Sequence, residues 1–321
     1  MEPIFGSGHN ANLEVLAMLP VAGCNMRPLC PYCYVGNPKK DPCGTDMFIS
    51  GMMNLVKRFS PIRFNISANG EPFTVDERIL SMFATLSDSN WVYFTSNLVA
   101  DDDRYQIFDR SPVVIQLSYH PHRWGMGNEE GTKAFCDKIN RLRKTSAVKF
   151  EYTSLVGYPL YFPFMKKALA MIHELTGINT TTLEYHGSYA GLQYPAAYTE
   201  IDRELLRSSC VYGYAENTWA EHPLGRPVMY QTFNPWKPYL GITQGLPCWA
   251  GRIGIIVDED GLIRACNSPN AVDNQGVMGH LGDAEKLNLL TEPVICRLDH
   301  CACVSNSRYL AVDPTTSNEG N

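Results

Sequence analysis

Between residues 13 and 190 of this chain, short apolar runs alternate with stretches whose apolar residues recur at helical spacing. The runs Leu13–Val21, Ile62–Ala68, Trp91–Thr95, Val113–Leu117, Val148–Leu155 and Thr180–Tyr185 read as strands. Between them Ile49, Met52, Met53, Val56 and Phe59 mark one helix, and Val75, Ile79, Met82, Phe83 and Leu86 the next. Thr74, with Glu77 three residues on, predicts a capping-box start for that second helix. Phe135, Ile139 and Leu142 mark a later helix, and Met165, Ala168, Leu169 and Ile172 another that Gly177 is placed to end. Asp103–Asp109 reads as a short helix. Six strands alternating with helices predict a parallel α/β arrangement, curled by right-handed crossovers into a barrel or partial barrel. A doubly wound open sheet has the same local pattern, so periodicity alone does not choose.

In parallel α/β folds the C-terminal ends of the strands share one rim, and sites are built there. The unusual residues fall at that rim. Cys24, Cys30 and Cys33 follow the first strand and "NGEP" (Asn69 to Pro72) the second. Ser96 and Asn97 follow the third, "SYHPH" (Ser118 to His122) the fourth, and "VGYP" (Val156 to Pro159) the fifth. Five separate segments are therefore expected to converge on one place.

A chain of 321 residues, with 45% apolar and 19% charged residues, reads as an ordinary soluble globular protein. The net charge of -6 gives no reason to expect a nucleic acid partner. No apolar run approaches the roughly 18 residues of a membrane span. The first residues lack a basic stretch ahead of an apolar one, so no signal peptide is expected and the protein reads as cytoplasmic. That makes eleven cysteines notable, because clustered thiols in a reducing compartment more often bind metal or take part in catalysis than form disulfides. Three stand at 24, 30 and 33 and five more at 248, 266, 296, 301 and 303, which suggests two metal sites.

Three thiols suit neither one disulfide nor a closed four-ligand zinc site. They suit a 4Fe–4S cluster in which one iron keeps an open position, or a zinc ion held by three cysteines and a water. A loop of plain free thiols is the bland alternative.

"CNMRPLCPYCYV" (Cys24 to Val35) resembles the signature of the radical S-adenosylmethionine (radical SAM) enzymes, usually C-x3-C-x-aromatic-C after the first strand. Tyr32 matches the aromatic position, while the first gap is two residues longer here, C-x5-C-x2-C. The resemblance implies that Cys24, Cys30 and Cys33 hold a 4Fe–4S cluster whose open iron chelates SAM. Reductive cleavage of SAM then yields a 5′-deoxyadenosyl radical. "NGEP" is similar to the family's Gly-Gly-Glu motif, which receives the SAM amino group; Gly70 and Glu71 match, and Asn69 replaces the first glycine. Ser96 and Asn97 resemble the family's third-strand segment near ribose and substrate, and Ser118 and Gly157 stand where it contacts SAM or lets adenine approach. His120, at the end of the fourth strand, is a candidate to contact SAM or substrate. The resemblance spans about residues 13 to 190 and implies a (β/α)6 partial barrel, with residues 1–200 as the barrel domain.

Residues 201–321 read as a connecting segment and a second module. "IGIIV-DEDG-LIR" predicts a β-hairpin that brings Cys248 and Cys266 together, and "CRLDHCACVSN" supplies Cys296, Cys301 and Cys303. The spacing C-x12-G-x4-C, with Gly261 as its glycine, is similar to the opening of the SPASM and twitch modules of radical SAM enzymes. Five cysteines fit the shorter twitch module, with four of them on one auxiliary 4Fe–4S cluster. A structural zinc site is the alternative for this module.

The resemblance implies hydrogen abstraction from an unactivated carbon, an electron taken up by the auxiliary cluster, and a flavodoxin- or ferredoxin-type reductant. The first strand begins near residue 13, which leaves no room for an N-terminal peptide-recognition domain. The expected substrate is therefore a small metabolite or natural-product intermediate, with peptide maturation and epimerisation as alternatives. Cys210 is the candidate hydrogen donor for an epimerase, although packing is its preferred reading. A cluster-bearing electron carrier is the non-enzymatic alternative.

Overall fold

The computed structural model describes residues 13–21, 24–25, 30–33, 42–211, 218–221, 227–230, 245, 247–248, 250–266 and 276–297. In its first half, strands and helices alternate: β1 (Leu13–Leu19), α1 (Thr45–Phe59), β2 (Ile62–Ala68), α2 (Glu77–Leu86), β3 (Trp91–Ser96), α3 (Asp102–Gln106) and β4 (Val114–Ser118). They continue as α4 (Glu129–Thr145), β5 (Lys149–Val156), α5 (Phe162–Thr176) and β6 (Asn179–Leu183). The hairpin β7 (Gly187–Tyr189) and β8 (Leu192–Tyr194) and the helix α6 (Glu200–Ser209) follow. Then come the paired β9 (Thr218–Glu221) and β10 (Pro227–Tyr230), β11 (Pro247–Cys248), β12 (Gly254–Val257), β13 (Leu262–Arg264), β14 (Val277–His280) and β15 (Val294–Ile295).

The main sheet has nine strands in the order β14-β13-β12-β1-β2-β3-β4-β5-β6. From β1 to β6 the neighbours are parallel and strictly consecutive. This order decides what periodicity left open: a doubly wound sheet reverses direction at a switch point, whereas a barrel keeps adding strands on one side. Among the described residues the barrel does not close, and the outer edge of β6 meets only Val211, through an antiparallel bridge to Thr180.

The two faces of the sheet are unlike. In β2, Ile62, Phe64, Ile66 and Ala68 are buried beneath the helices, with Phe64 edge-on to Phe83 of α2 at 5.5 Å. Arg63, Asn65 and Ser67, on the face turned away from the helices, stay half-buried. The core therefore lies between sheet and helix layer, while the lumen face is polar and open.

Local signals explain most helix ends. Asn128 caps α4 by accepting from Gly131 N–H, and Gly177 terminates α5. The expected Thr74 cap does not form. Thr74 closes a 3₁₀ turn (Pro72–Thr74) by donating to Glu71 O, and Asp76 caps α2 instead, accepting from Arg78 N–H at 3.0 Å. Asp76 directly precedes the first helical residue, Glu77, whereas Thr74 sits two residues further back, inside the 3₁₀ turn.

The hairpin expected after Cys248 is β12–β13, with Ile256 opposite Arg264 and Val257 opposite Ile263. Gly261 closes its turn at φ +85°, a conformation that disfavours any side chain, which accounts for the glycine in the C-x12-G-x4-C spacing. The hairpin does not stand apart from the barrel. β12 pairs in parallel with β1, Glu14 opposite Gly254 through Ala17 opposite Val257, and so continues the barrel sheet beyond its first strand. Among the described residues no helix is long and apolar enough to cross a membrane.

Candidate active site

The end of β1 leads into the cysteine segment, where Cys33 N–H donates to Cys30 O and turns the chain. Cys24 and Cys30 are half-buried and Cys33 is exposed. Burial, then the nearby Cys33 and Cys24 thiols, push the Cys30 thiol up to about 11. Burial and the two neighbouring thiols thus disfavour the Cys30 thiolate, which calls for a cationic partner. Among the described residues no three His, Cys, Asp or Glu side chains surround a point that a single metal ion would occupy. A cluster takes its thiolates on separate irons, and three partly accessible thiols at the strand rim fit that demand.

Tyr32 joins the cysteine segment to the end of β4. Its ring is buried and stacked on His120 at 5.8 Å, and its hydroxyl lies 2.5 Å from His120 Nδ1. Cys30 Sγ is 3.5 Å from the same nitrogen. Burial and the neighbouring His122 hold the His120 imidazole down at about 3, so it is neutral and its Nδ1 can accept the Tyr32 hydroxyl. His122, Tyr158 and Tyr161 complete the cage around Tyr32, with centroids 5.7 to 6.1 Å away. His122 Nδ1 meets Tyr161 OH at 3.1 Å, and its buried Nε2 has no hydrogen-bond partner among the described residues.

Glu71 is the second organiser of the rim. Its carboxylate is 1% exposed and accepts from Ser96 Oγ–H and from Asn97 N–H, both at 2.7 Å. Ser96 Oγ also meets Tyr105 OH at 3.1 Å. Burial pushes the Glu71 carboxyl up to about 7, against the lowering effect of those two donors. Glu71 thus joins the loops after β2 and β3. Asn97 Nδ2 donates in turn to Asn25 Oδ1 at 3.0 Å, which reaches the cysteine segment. Gly70 is half-buried in the bend after β2, and Ser118 ends β4 opposite Ser154.

Gly157 has a close neighbour of its own. A Cβ there would stand 2.7 Å from Leu206 Cδ2 of α6 and 3.0 Å from Tyr198 Oη, whose hydroxyl donates to Gly157 O at 2.7 Å. Cys210 caps α6, where its thiol donates to Leu206 O at 3.4 Å beside Thr182 Oγ1.

In the second cysteine group, Cys248, Cys266 and Cys296 are all buried. The β11–β15 ladder pairs Cys248 with Val294, two residues before Cys296. Cys266 follows Ala265, whose methyl packs at Gly251, three residues past Cys248. Cys301 and Cys303 lie outside the described residues.

Some residues of this arrangement had no role assigned from sequence. Asn25, inside the cysteine segment, matters through its contact with Asn97, which leaves no periodic trace. Tyr158, inside VGYP, and Tyr161 had a signal, their place beside Gly157 at a strand end.

No protein-family model matches this sequence, and no curated protein matches it at a significant level. Solved structures match at the level of fold. Native anSMEcpe with bound AdoMet superposes with a TM-score of 0.54 at 15% identity, over 84% of this chain and 78% of its own. Native anSMEcpe with bound AdoMet and the Cp18Cys peptide gives 0.52 at 13% identity, over 84% and 78%. Streptococcus suis SuiB bound to S-adenosylmethionine gives 0.53 at 14% identity, over 85% and 64%. Identities this low carry the fold alone, and that fold is the partial TIM barrel of the radical SAM structures.

Proposed function

We propose that this chain is a radical SAM enzyme. The carrying observation is the group of three thiols, Cys24, Cys30 and Cys33, at the rim of this barrel. The AdoMet-bound state of its structural neighbours supports the same reading.

Cys24, Cys30 and Cys33 would hold the cluster, and Cys248, Cys266 and Cys296, with Cys301 or Cys303, an auxiliary one. When bound, cluster and SAM together supply a 5′-deoxyadenosyl radical that takes a hydrogen atom from an unactivated carbon, and the auxiliary cluster takes up the electron that follows. Tyr32 and His120 fix the cysteine segment against β4. Gly70 and its neighbours in the NGEP bend offer backbone carbonyls to the SAM amino group. Glu71 acts at one remove, holding Ser96 and Asn97 where ribose and substrate would lie. Ser118 faces the lumen at the same level. The contact of Gly157 with α6 supports a packing role alongside any approach of adenine. The hydrogen bonds of Cys210 to α6 and β6 favour packing over hydrogen donation.

The net reaction in this reading is an oxidation, dehydrogenation or bond formation on a small metabolite, fed by a flavodoxin- or ferredoxin-type reductant. Peptide maturation is the second reading, favoured by the peptide bound to anSMEcpe. The test is anaerobic reconstitution followed by iron and sulfide analysis, then dithionite and SAM. About eight irons per chain, as two 4Fe–4S clusters, with release of 5′-deoxyadenosine, is the expected result. Zinc in place of iron, or clusters with neither SAM binding nor cleavage, would overturn it.

A further inference from the structure

The lumen of the partial barrel holds a cation, Arg63, that forms no ion pair among the described residues. Arg63 stands second in β2, on the face turned away from the helices. Its guanidinium carbon lies 4.7 Å from the centre of the Tyr93 ring, and its Nε–H is buried with no hydrogen-bond partner among the described residues. Two carboxylates share that face, and Glu14 stands directly opposite Arg63 in the β1–β2 ladder, yet each accepts from an amide. Asn65 Nδ2 donates to Glu14 Oε1, and Gln116 Nε2 donates to Glu151 Oε2 at 2.9 Å. Among the described residues no carboxylate pairs with Arg63.

A ring face stabilises a guanidinium but accepts none of its in-plane N–H bonds, so the fork that matches a carboxylate or phosphate is left unused. Tyr93 and Glu14 beside Arg63 are buried, but Arg63, Asn65, Gln116 and Glu151 are only half-buried and leave that face partly accessible to a solute. Direction follows from register. Tyr93 pairs with Asn65, two residues beyond Arg63, so a guanidinium lying over Tyr93 has leaned toward the rim that carries the cysteines. From Asn65 to Asn69, at the rim, is four residues, or about 13 Å along a strand.

We propose that Arg63, backed by Tyr93, binds a terminal carboxylate or phosphate of an elongated small-molecule substrate whose reacting carbon lies at the rim. The placement of that carbon rests on the radical SAM reading; the anion site itself does not.

The test is site-resolved modification of the reconstituted full chain by phenylglyoxal, read by mass spectrometry, with and without inorganic phosphate or glutarate. Arg110, whose side chain is 92% exposed, is the internal reference. Severalfold slower modification of Arg63, with Arg110 unchanged, is the expected result, and the more effective anion tells phosphate from carboxylate. Equal rates at Arg63 with and without both anions would overturn the proposal, as would equal slowing at Arg110. Failure of Arg63 to react without anion would also overturn it, since the lumen would then be closed to solutes of this size. SAM cleavage, measured on the same preparation, reports separately on the radical SAM reading.

Discussion

Asn69 Nδ2 donates to Glu259 Oε2 at 2.8 Å, joining the end of β2 to the turn between β12 and β13. Glu259 is 1% exposed, and its carbonyl accepts from Cys43 N–H at 2.9 Å, just ahead of α1. The residue that departs from Gly-Gly-Glu is thus the one that docks the C-terminal hairpin on the rim. Removal of a donor from a buried carboxylate costs about 1–3 kcal/mol, so Asn69→Ala is expected to lower unfolding free energy by that amount. Denaturant unfolding of Asn69→Ala, Glu259→Ala and the double variant should give less than the sum of the two losses. Simple additivity would show that the contact contributes nothing of its own.

Glu71 makes stability depend on pH. Its carboxyl is pushed up to about 7 in the folded chain against an ordinary 4.5, so between those values the unfolded chain ionises and the folded chain does not. Stability from this group is full below about pH 4.5 and falls as pH rises to about 7, by roughly 3 kcal/mol in all. Unfolding of the wild type and Glu71→Gln across pH 4 to 8 isolates the effect as a difference. A difference that is flat, or that grows with pH, would contradict the assignment.

Gly157→Ala would press a methyl against Leu206 and Tyr198. Overpacking of this kind costs about 1–3 kcal/mol. The loss should appear in the apo chain, without SAM, and should shrink when Leu206→Ala opens space. Unchanged apo stability combined with weaker SAM binding would instead assign Gly157 to the adenine alone.

Tyr32→Phe is expected to cost about 1 kcal/mol in the cluster-free chain, through loss of the hydroxyl's bond to His120. His120→Ala should cost more, because it removes the same hydrogen bond and also opens a gap in the ring stack. The double variant should be little worse than His120→Ala. Thermal or denaturant unfolding measures all three, and fully independent losses would rule out the coupling.

Much of this protein is legible in one dimension. The six parallel strands and their helices follow from apolar periodicity, because one face of each strand is buried beneath helices, as Phe64 and Phe94 are against Phe83. The place of the site follows too: strand ends share a rim in any parallel α/β fold, so Cys24, Cys30, Cys33, Gly70, Glu71, Ser96 and Asn97 could be grouped before any coordinates. Gly261 and the β12–β13 hairpin were readable because a turn is a local property of four residues.

What the sequence alone left open is whatever depends on order in space and on single long-range contacts. Barrel against doubly wound sheet is a choice of crossover direction, which residue patterns do not encode and the consecutive order of β1 to β6 settles. That β12 would lie alongside β1, about 240 residues away, rests on two edge strands finding each other's unpaired backbone groups. Thr74 lost the helix cap to Asp76 because the helix begins only at Glu77 and Thr74 is held in the 3₁₀ turn before it. The pairings Tyr32–His120, Asn69–Glu259 and Arg63–Tyr93 join residues of ordinary appearance whose meaning is only their neighbour. Composition and period determined the layers and the rim; tertiary structure decided which side chain each polar group would face, since a buried hydrogen bond is set by the position of both of its ends.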